Sequence, residues 1–205
     1  MTDPGSVERV YVVTDIEVDG FVPGAHSMLA LASVAVTSFG ERVGEFEAVL
    51  ERLPGAQPHP DTWSWWLSQP ASVLAAATEG ARPVPEVMAD YVRWVKGLGD
   101  ERELVASPLG FDGTYVDHYL RRFTSYGLAQ GPDETDRLFH GAGVCLKSLA
   151  CGVVGGDPAT FSVHDLPQAW FGDEPHTHRA IDDARGYANL LVEVLRQARE
   201  RAARG

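Results

Sequence analysis

Residues 9–20 read RVYVVTDIEVDG, and the reading of this stretch decides the fold. Four valines and a tyrosine over residues 10–18 have the composition of a buried strand, and Asp19-Gly20 supplies the turn that ends it. The same strand carries two acids, Asp15 and Glu17. Side chains alternate along a strand, so both acids share one face, and Asp19 joins them if the strand continues. Thr14, Ile16 and Val18 take the other face. Two carboxylates side by side on an apolar strand repel each other, and a hard divalent cation between them is the usual compensation. A strand end whose acids simply point into solvent is the bland alternative.

Working outward, residues 28–37 (MLALASVAVT) and 43–50 (VGEFEAVL) read as second and third strands, joined in an antiparallel meander by glycine-containing turns. A helical period follows in 61–69 (DTWSWWLSQ), 72–78 (SVLAAAT) and 85–98 (PEVMADYVRWVKGL). Residues 103–107 (ELVAS) form a short buried strand. A helix is expected from Asp112 to a stop at Gly127, and 142–155 (AGVCLKSLACGVVG) is a short helix or a strand. Residues 156–178 are polar, rich in proline and irregular, and a last helix spans about 180–201. Three strands, then helices alternating with a further strand, give an α/β fold with a mixed central sheet flanked by helices, as one domain over residues 1–205.

The last helix begins in PHTHRAIDDARG, residues 175–186. At about 100° per residue, Ala180, Ile181, Ala184, Tyr187, Ala188, Leu191, Leu195 and Ala198 gather on the core side. Asp182 falls opposite, with Asn189, Glu193 and Arg196, and is expected on the surface. Asp183 falls on the flank of the buried stripe, beside Tyr187, Leu190 and Val194. A carboxylate there is costly to desolvate unless it is paired or binds a metal, which makes Asp183 the functional candidate. Acids also suit the first turn of any helix, so a structural role stands beside the functional one. His176 and His178 form an H-x-H pair just ahead. Zinc on that pair would need a third or fourth ligand, and the sequence shows no clear one nearby. Asp112 follows a strand and opens a helix, where an ordinary N-cap is the competing reading.

The formal charge is -12, from 29 acidic and 17 basic residues. Such a balance argues against a long phosphate-tracking surface, although cations held by carboxylates could present positive charge locally. Two cysteines make no disulfide framework, and no apolar run or signal-peptide layout indicates a membrane or export, so a reducing cytoplasm is expected.

Taken in order, these motifs resemble the DEDDh 3'-5' exonucleases of the RNase H-like fold, which include RNase T, oligoribonuclease and the proofreading epsilon subunit. Asp15 and Glu17 match the D-x-E of the first motif, Phe111-Asp112 the aspartate of the second, and His178 with Asp183 the H-x4-D of the third. The order agrees over essentially the whole chain. Family members commonly carry an asparagine a few residues before the second-motif phenylalanine, where this chain has Ser107-Pro108-Leu109-Gly110.

The resemblance implies two Mg²⁺ or Mn²⁺ ions held by Asp15, Glu17, Asp112 and Asp183, with His178 as general base and His176 as bystander or substrate neighbour. It implies hydrolysis of single-stranded RNA or DNA, or short oligonucleotides, to nucleoside 5'-monophosphates. Phe111 and Tyr115 are candidates to stack on bases, and Arg179 and Arg185 to meet phosphates. Trp63, Trp65 and Trp66 are expected to pack in the core, with base stacking as the other reading. A homodimer is compatible with the sequence. Two rival classes would keep the same carboxylates: a metal-dependent hydrolase of a non-nucleic-acid substrate, and an inactive nucleic-acid-binding scaffold.

Overall fold

The computed structural model describes residues 9–131 and 133–205. Its sheet has five strands: β1 (Val10–Val18), β2 (Met28–Thr37), β3 (Arg42–Val49), β4 (Arg102–Ala106) and β5 (Val144–Cys145). Their order is β3-β2-β1-β4-β5. The pairs β1/β2 and β2/β3 are antiparallel, whereas β1/β4 and β4/β5 are parallel. The helices are α1 (Pro60–Ser68), α2 (Ala71–Thr78), α3 (Val84–Lys96), α4 (Leu109–Phe123), α5 (Leu146–Val154) and α6 (Ala180–Ala202).

Alternation along β1 feeds two cores. Val12 and Ile16 pack with Leu31, Tyr91, Tyr115 and Tyr119 on the α3/α4 side. Val13 packs with Ala30, Ala32, Val34, Leu190 and Leu191 on the α6 side. Strand β2 is buried along its whole length because it meets helices on both faces. Its small residues Ala30 and Ala32 face Ala180, Ala184 and Ala188, which lets α6 lie close across β1 and β2. Leu190, Leu191 and Val194 are fully buried there, each stabilising the fold by about 1.5–3 kcal/mol.

The strands and helices read from the sequence are present, with boundaries moved by a few residues. The segment 142–155 is both things at once, a two-residue strand followed by a helix. The largest change concerns α4. It starts three residues before Asp112, with Pro108 at the N-cap, so Asp112 sits inside the first turn and is not the cap. The helix stops at Thr124 rather than Gly127. There the backbone turns extended, and both the N–H and the hydroxyl of Thr124 donate to the Leu120 carbonyl.

Asp19 does not share the face of Asp15 and Glu17. The pairing of β1 with β2 shifts register between Glu17 and Val18, which breaks the alternation. Asp19 is instead fully buried, accepting the Ser27 N–H at 2.6 Å and lying 3.1 Å from Arg52 Nε. Among the described residues no helix is long and apolar enough to cross a membrane.

Candidate metal centre

Strand β4 pairs with β1 only from Val10 to Val13. Beyond that point the β1 edge is free of a strand partner, and the first turn of α4 leans over it. The Asp112 carboxylate lies close enough to the Ile16 N–H to feel its pull. From the opposite layer, α6 starts beside the same half of β1 and buries Asp183. Two helix starts thus deliver one aspartate each to the strand that carries Asp15 and Glu17. The crevice beyond the carboxyl ends of parallel strands is where open α/β sheets generally bind ligands.

Asp15, Glu17 and Asp183 offer carboxylate oxygens that all lie within 4.8 Å of one another. Asp112 adjoins this trio closely enough to perturb both Asp15 and Glu17. Burial, followed by repulsion from Asp112, Glu17 and Asp183, raises the Asp15 carboxyl well above its ordinary range. Burial and then Asp183 and Asp112 push Glu17 from 4.5 up to about 9. Asp112 is raised from 3.8 to about 7 by burial, against the pull of its two backbone donors. With no basic side chain acting on Asp15, Glu17 or Asp112 among the described residues, these oxygens are a donor set suited to hard divalent cations.

The approach to α6 is tied down through Thr177. Its N–H donates to Asp183 Oδ1 at 3.1 Å, and its hydroxyl donates to Asp182 Oδ2 at 2.9 Å. His176 Nδ1 donates to the same Asp183 oxygen at 2.9 Å, and that contact raises the imidazole above its usual value. His176 is therefore a direct partner of Asp183 and not a bystander. His178 adopts φ 57°, the one non-glycine residue with positive φ among those described. Left-handed backbone disfavours most side chains, and strain of this kind gathers at functional positions. Burial, followed by the neighbouring His176, lowers the His178 imidazole below its ordinary value.

Several expectations about individual side chains need correction. Tyr115 is 1% exposed and its hydroxyl donates to the Gly20 carbonyl at 2.8 Å, so its ring is core and cannot stack on a base. Arg179 is committed to both Glu47 oxygens, at 3.0 and 3.1 Å, and Arg185 to both of Glu45, at 3.1 and 2.6 Å. Both arginines answer the exposed acids of β3 instead of standing free for phosphate. Asp182 is half-buried between Thr177 and Arg185, not on an open face. Phe111 is half-buried against the α3/α4 core. The tryptophans divide: Trp66 is core and bonds the Val18 carbonyl, whereas Trp65 is 39% exposed with its ring edge-on to His178 at 5.1 Å.

Sequence reasoning missed two features of the site, the placement of Trp65 beside His178 and the His176–Asp183 bond, whereas Tyr187 lies beside Asp183 as the helical period places it. Tyr187 sits one turn after Asp183, and its hydroxyl is raised by burial and by all four carboxylates. Its i+4 spacing from Asp183 is what sets the two side by side.

No family sequence model matches the chain, nor does any curated protein sequence. Solved structures do match. The nuclease domain of 3'hExo, a DEDDh family member, bound to rAMP, superposes with a TM-score of 0.66 at 13% identity, covering 93% of this chain and 94% of that one. Cell-death related nuclease 4 (CRN-4) matches with a TM-score of 0.61 at 13% identity, covering 92% of this chain and 64% of that one. E. coli Exonuclease I in complex with a dT13 oligonucleotide matches with a TM-score of 0.61 at 14% identity, covering 96% of this chain but 42% of that one. At such identities the likeness is one of architecture. The chain has the RNase H-like fold in the form that these nuclease structures share.

Proposed function

We propose that the chain is a metal-dependent 3'-5' exonuclease acting on single-stranded RNA or DNA, or on short oligonucleotides, and releasing nucleoside 5'-monophosphates. The observation that carries this reading is the meeting of Asp15, Glu17, Asp112 and Asp183 from three elements, where burial and then mutual repulsion raise the proton affinity of Asp15 and Glu17, and burial raises that of Asp112. Those four residues would hold two Mg²⁺ or Mn²⁺ ions. Bound there, such ions make a strong nucleophile of water and stabilise charge on the leaving oxygen.

The chain's own residues do the rest. His178 takes a proton from the attacking water onto a ring nitrogen. Its lowered affinity for protons keeps it in the free-base form at neutral pH, as a general base requires. Trp65 limits the rotation of that ring from one side. Thr177 and His176 fix the orientation of Asp183. For the bases, the exposed face of Trp65 beside His178 is better placed than buried Tyr115, with half-buried Phe111, next to Asp112, contributing one edge.

The test is a 5'-labelled oligonucleotide incubated with Mg²⁺ or Mn²⁺. Shortening by single nucleotides from the 3' end, with a circular oligonucleotide left intact, supports the assignment. Cutting of the circle, or no cutting of any oligonucleotide, refutes it.

A further inference from the structure

Beside the carboxylates, and not among the four of them, lies a group of imidazoles. The His176 and His178 rings are 4.6 Å apart, and His164, on the short turn at 163–165, brings a third ring to 5.2 Å from His176. A pocket lined by His164, Phe171, His176, Asp183 and Tyr187 opens two of the three rings to solvent. Donor atoms of His176, His178 and Asp183 all lie within 4.8 Å of one another.

The donor set differs in kind from the carboxylate trio. Two imidazoles and one carboxylate suit a borderline transition metal, whereas Mg²⁺ prefers oxygen and keeps its waters. Ligand bonds of about 2.0–2.2 Å place tetrahedral donors roughly 3.3 Å apart. His176 Nδ1 and Asp183 Oδ1 are already 2.9 Å apart, so an ion could replace the proton they share with little movement. With a donor atom of His178 within 4.8 Å of both, three protein ligands converge and leave a fourth position to water.

We propose that His176, His178 and Asp183 form a second, overlapping and inhibitory site for Zn²⁺ or a similar borderline ion. Occupation ties up the ring nitrogen of His178 and an oxygen of Asp183, and hydrolysis stops. This consequence rests on the exonuclease reading of His178; the binding itself does not. Asp183 belongs to both sites, so the inhibitory ion and the Mg²⁺ pair compete.

The test measures binding without nucleic acid. Calorimetry with ZnCl₂, and visible absorption with CoCl₂ as a spectroscopic stand-in, are compared for wild type, His176→Ala, His176→Gln and Asp15→Asn. Circular dichroism confirms that each variant is folded. The expected result is at least a tenfold loss of affinity in both His176 variants, with cobalt absorption lost and Asp15→Asn binding retained. In parallel, Zn²⁺ should stop Mg²⁺-dependent hydrolysis in wild type at concentrations at least tenfold below those needed in His176→Gln. Equal affinity in wild type and the His176 variants, or binding lost only in Asp15→Asn, overturns the site. A chain that binds zinc through His176 yet hydrolyses no oligonucleotide leaves the site standing and sinks the exonuclease reading instead.

Discussion

His176 Nδ1 lies 2.9 Å from Asp183 Oδ1, so an exposed imidazole holds a carboxylate that is itself 5% exposed. The contact raises the His176 imidazole, so its stabilising contribution is complete below the ordinary value of 6.5 and is lost as pH rises through the raised value. His176→Ala should lower the metal-free stability by a few tenths of a kcal/mol at pH 5.5, after allowance for solvent screening, and by less at pH 9. Urea denaturation at both values checks this; an equal loss at both would contradict the pairing.

The carboxylates of the centre carry a dependence of the same sign over a wider range of pH. Glu17 and Asp112 bind protons more tightly folded than unfolded, at about 9 against 4.5 and about 7 against 3.8. The folded chain therefore holds extra protons between these limits, and their contribution to metal-free stability falls as pH rises from about 4 to 9. Glu17→Gln should remove part of that decline and be more stable than wild type at pH 8 by an amount of order a few kcal/mol. Mg²⁺ should stabilise wild type more at pH 8 than at pH 6. Thermal melts with and without chelator test both statements, and a Glu17→Gln chain less stable than wild type at pH 8 would refute them.

Activity should respond to metal and pH together. With saturating metal, the acid limb of kcat/KM should lie below 6.5, where burial and His176 place the His178 imidazole. With scarce metal it should move upward, because Glu17 and Asp112 must shed protons before they can ligate. His178→Asn preserves a residue type that tolerates the left-handed backbone at this position. It should fold normally and lose about 10²–10⁴-fold in kcat. A limb that does not move with metal concentration would argue against the linkage.

The two adjacent aspartates should separate cleanly. Asp183→Asn should cost more than about 100-fold in kcat/KM, about 2.7 kcal/mol of transition-state stabilisation. Asp182→Asn keeps an acceptor for the Thr177 hydroxyl and loses charge opposite Arg185, so it should retain activity within a few-fold and cost about 0.5–1 kcal/mol of stability. Comparable inactivation of both would refute the division of roles.

Tyr115→Phe distinguishes a core tyrosine from a substrate-facing one. Loss of the hydroxyl bond to the Gly20 carbonyl should cost about 1 kcal/mol in stability and leave KM unchanged. A raised KM with unchanged stability would restore the stacking role.

The parts legible in the sequence were those that repeat. The period of β1 put Asp15 and Glu17 on one face, and the period of α6 chose Asp183 over Asp182, because burial on a regular element follows its geometry. Errors arose where regularity ends. The register shift after Glu17 sends Asp19 into a private network with Ser27 and Arg52, and no alternation rule contains that shift. The pairing of Arg179 and Arg185 with Glu47 and Glu45 joins residues 132 and 140 positions apart, and only the packing of α6 beside β3 creates it. Trp65 beside His178 is of the same kind: neighbours by folding, with nothing local to announce them.

The most direct measurement is hydrolysis of a 5'-labelled single-stranded oligonucleotide by chelator-stripped protein, with Mg²⁺ or Mn²⁺ then restored, for wild type and Asp15→Asn side by side. Wild type should be inert when stripped, and should trim the 3' end one nucleotide at a time once metal returns. Asp15→Asn, shown to be folded, should remain more than about 100-fold slower. Trimming that survives chelation, or that is equally fast in Asp15→Asn, would contradict a metal-dependent centre built on these four carboxylates.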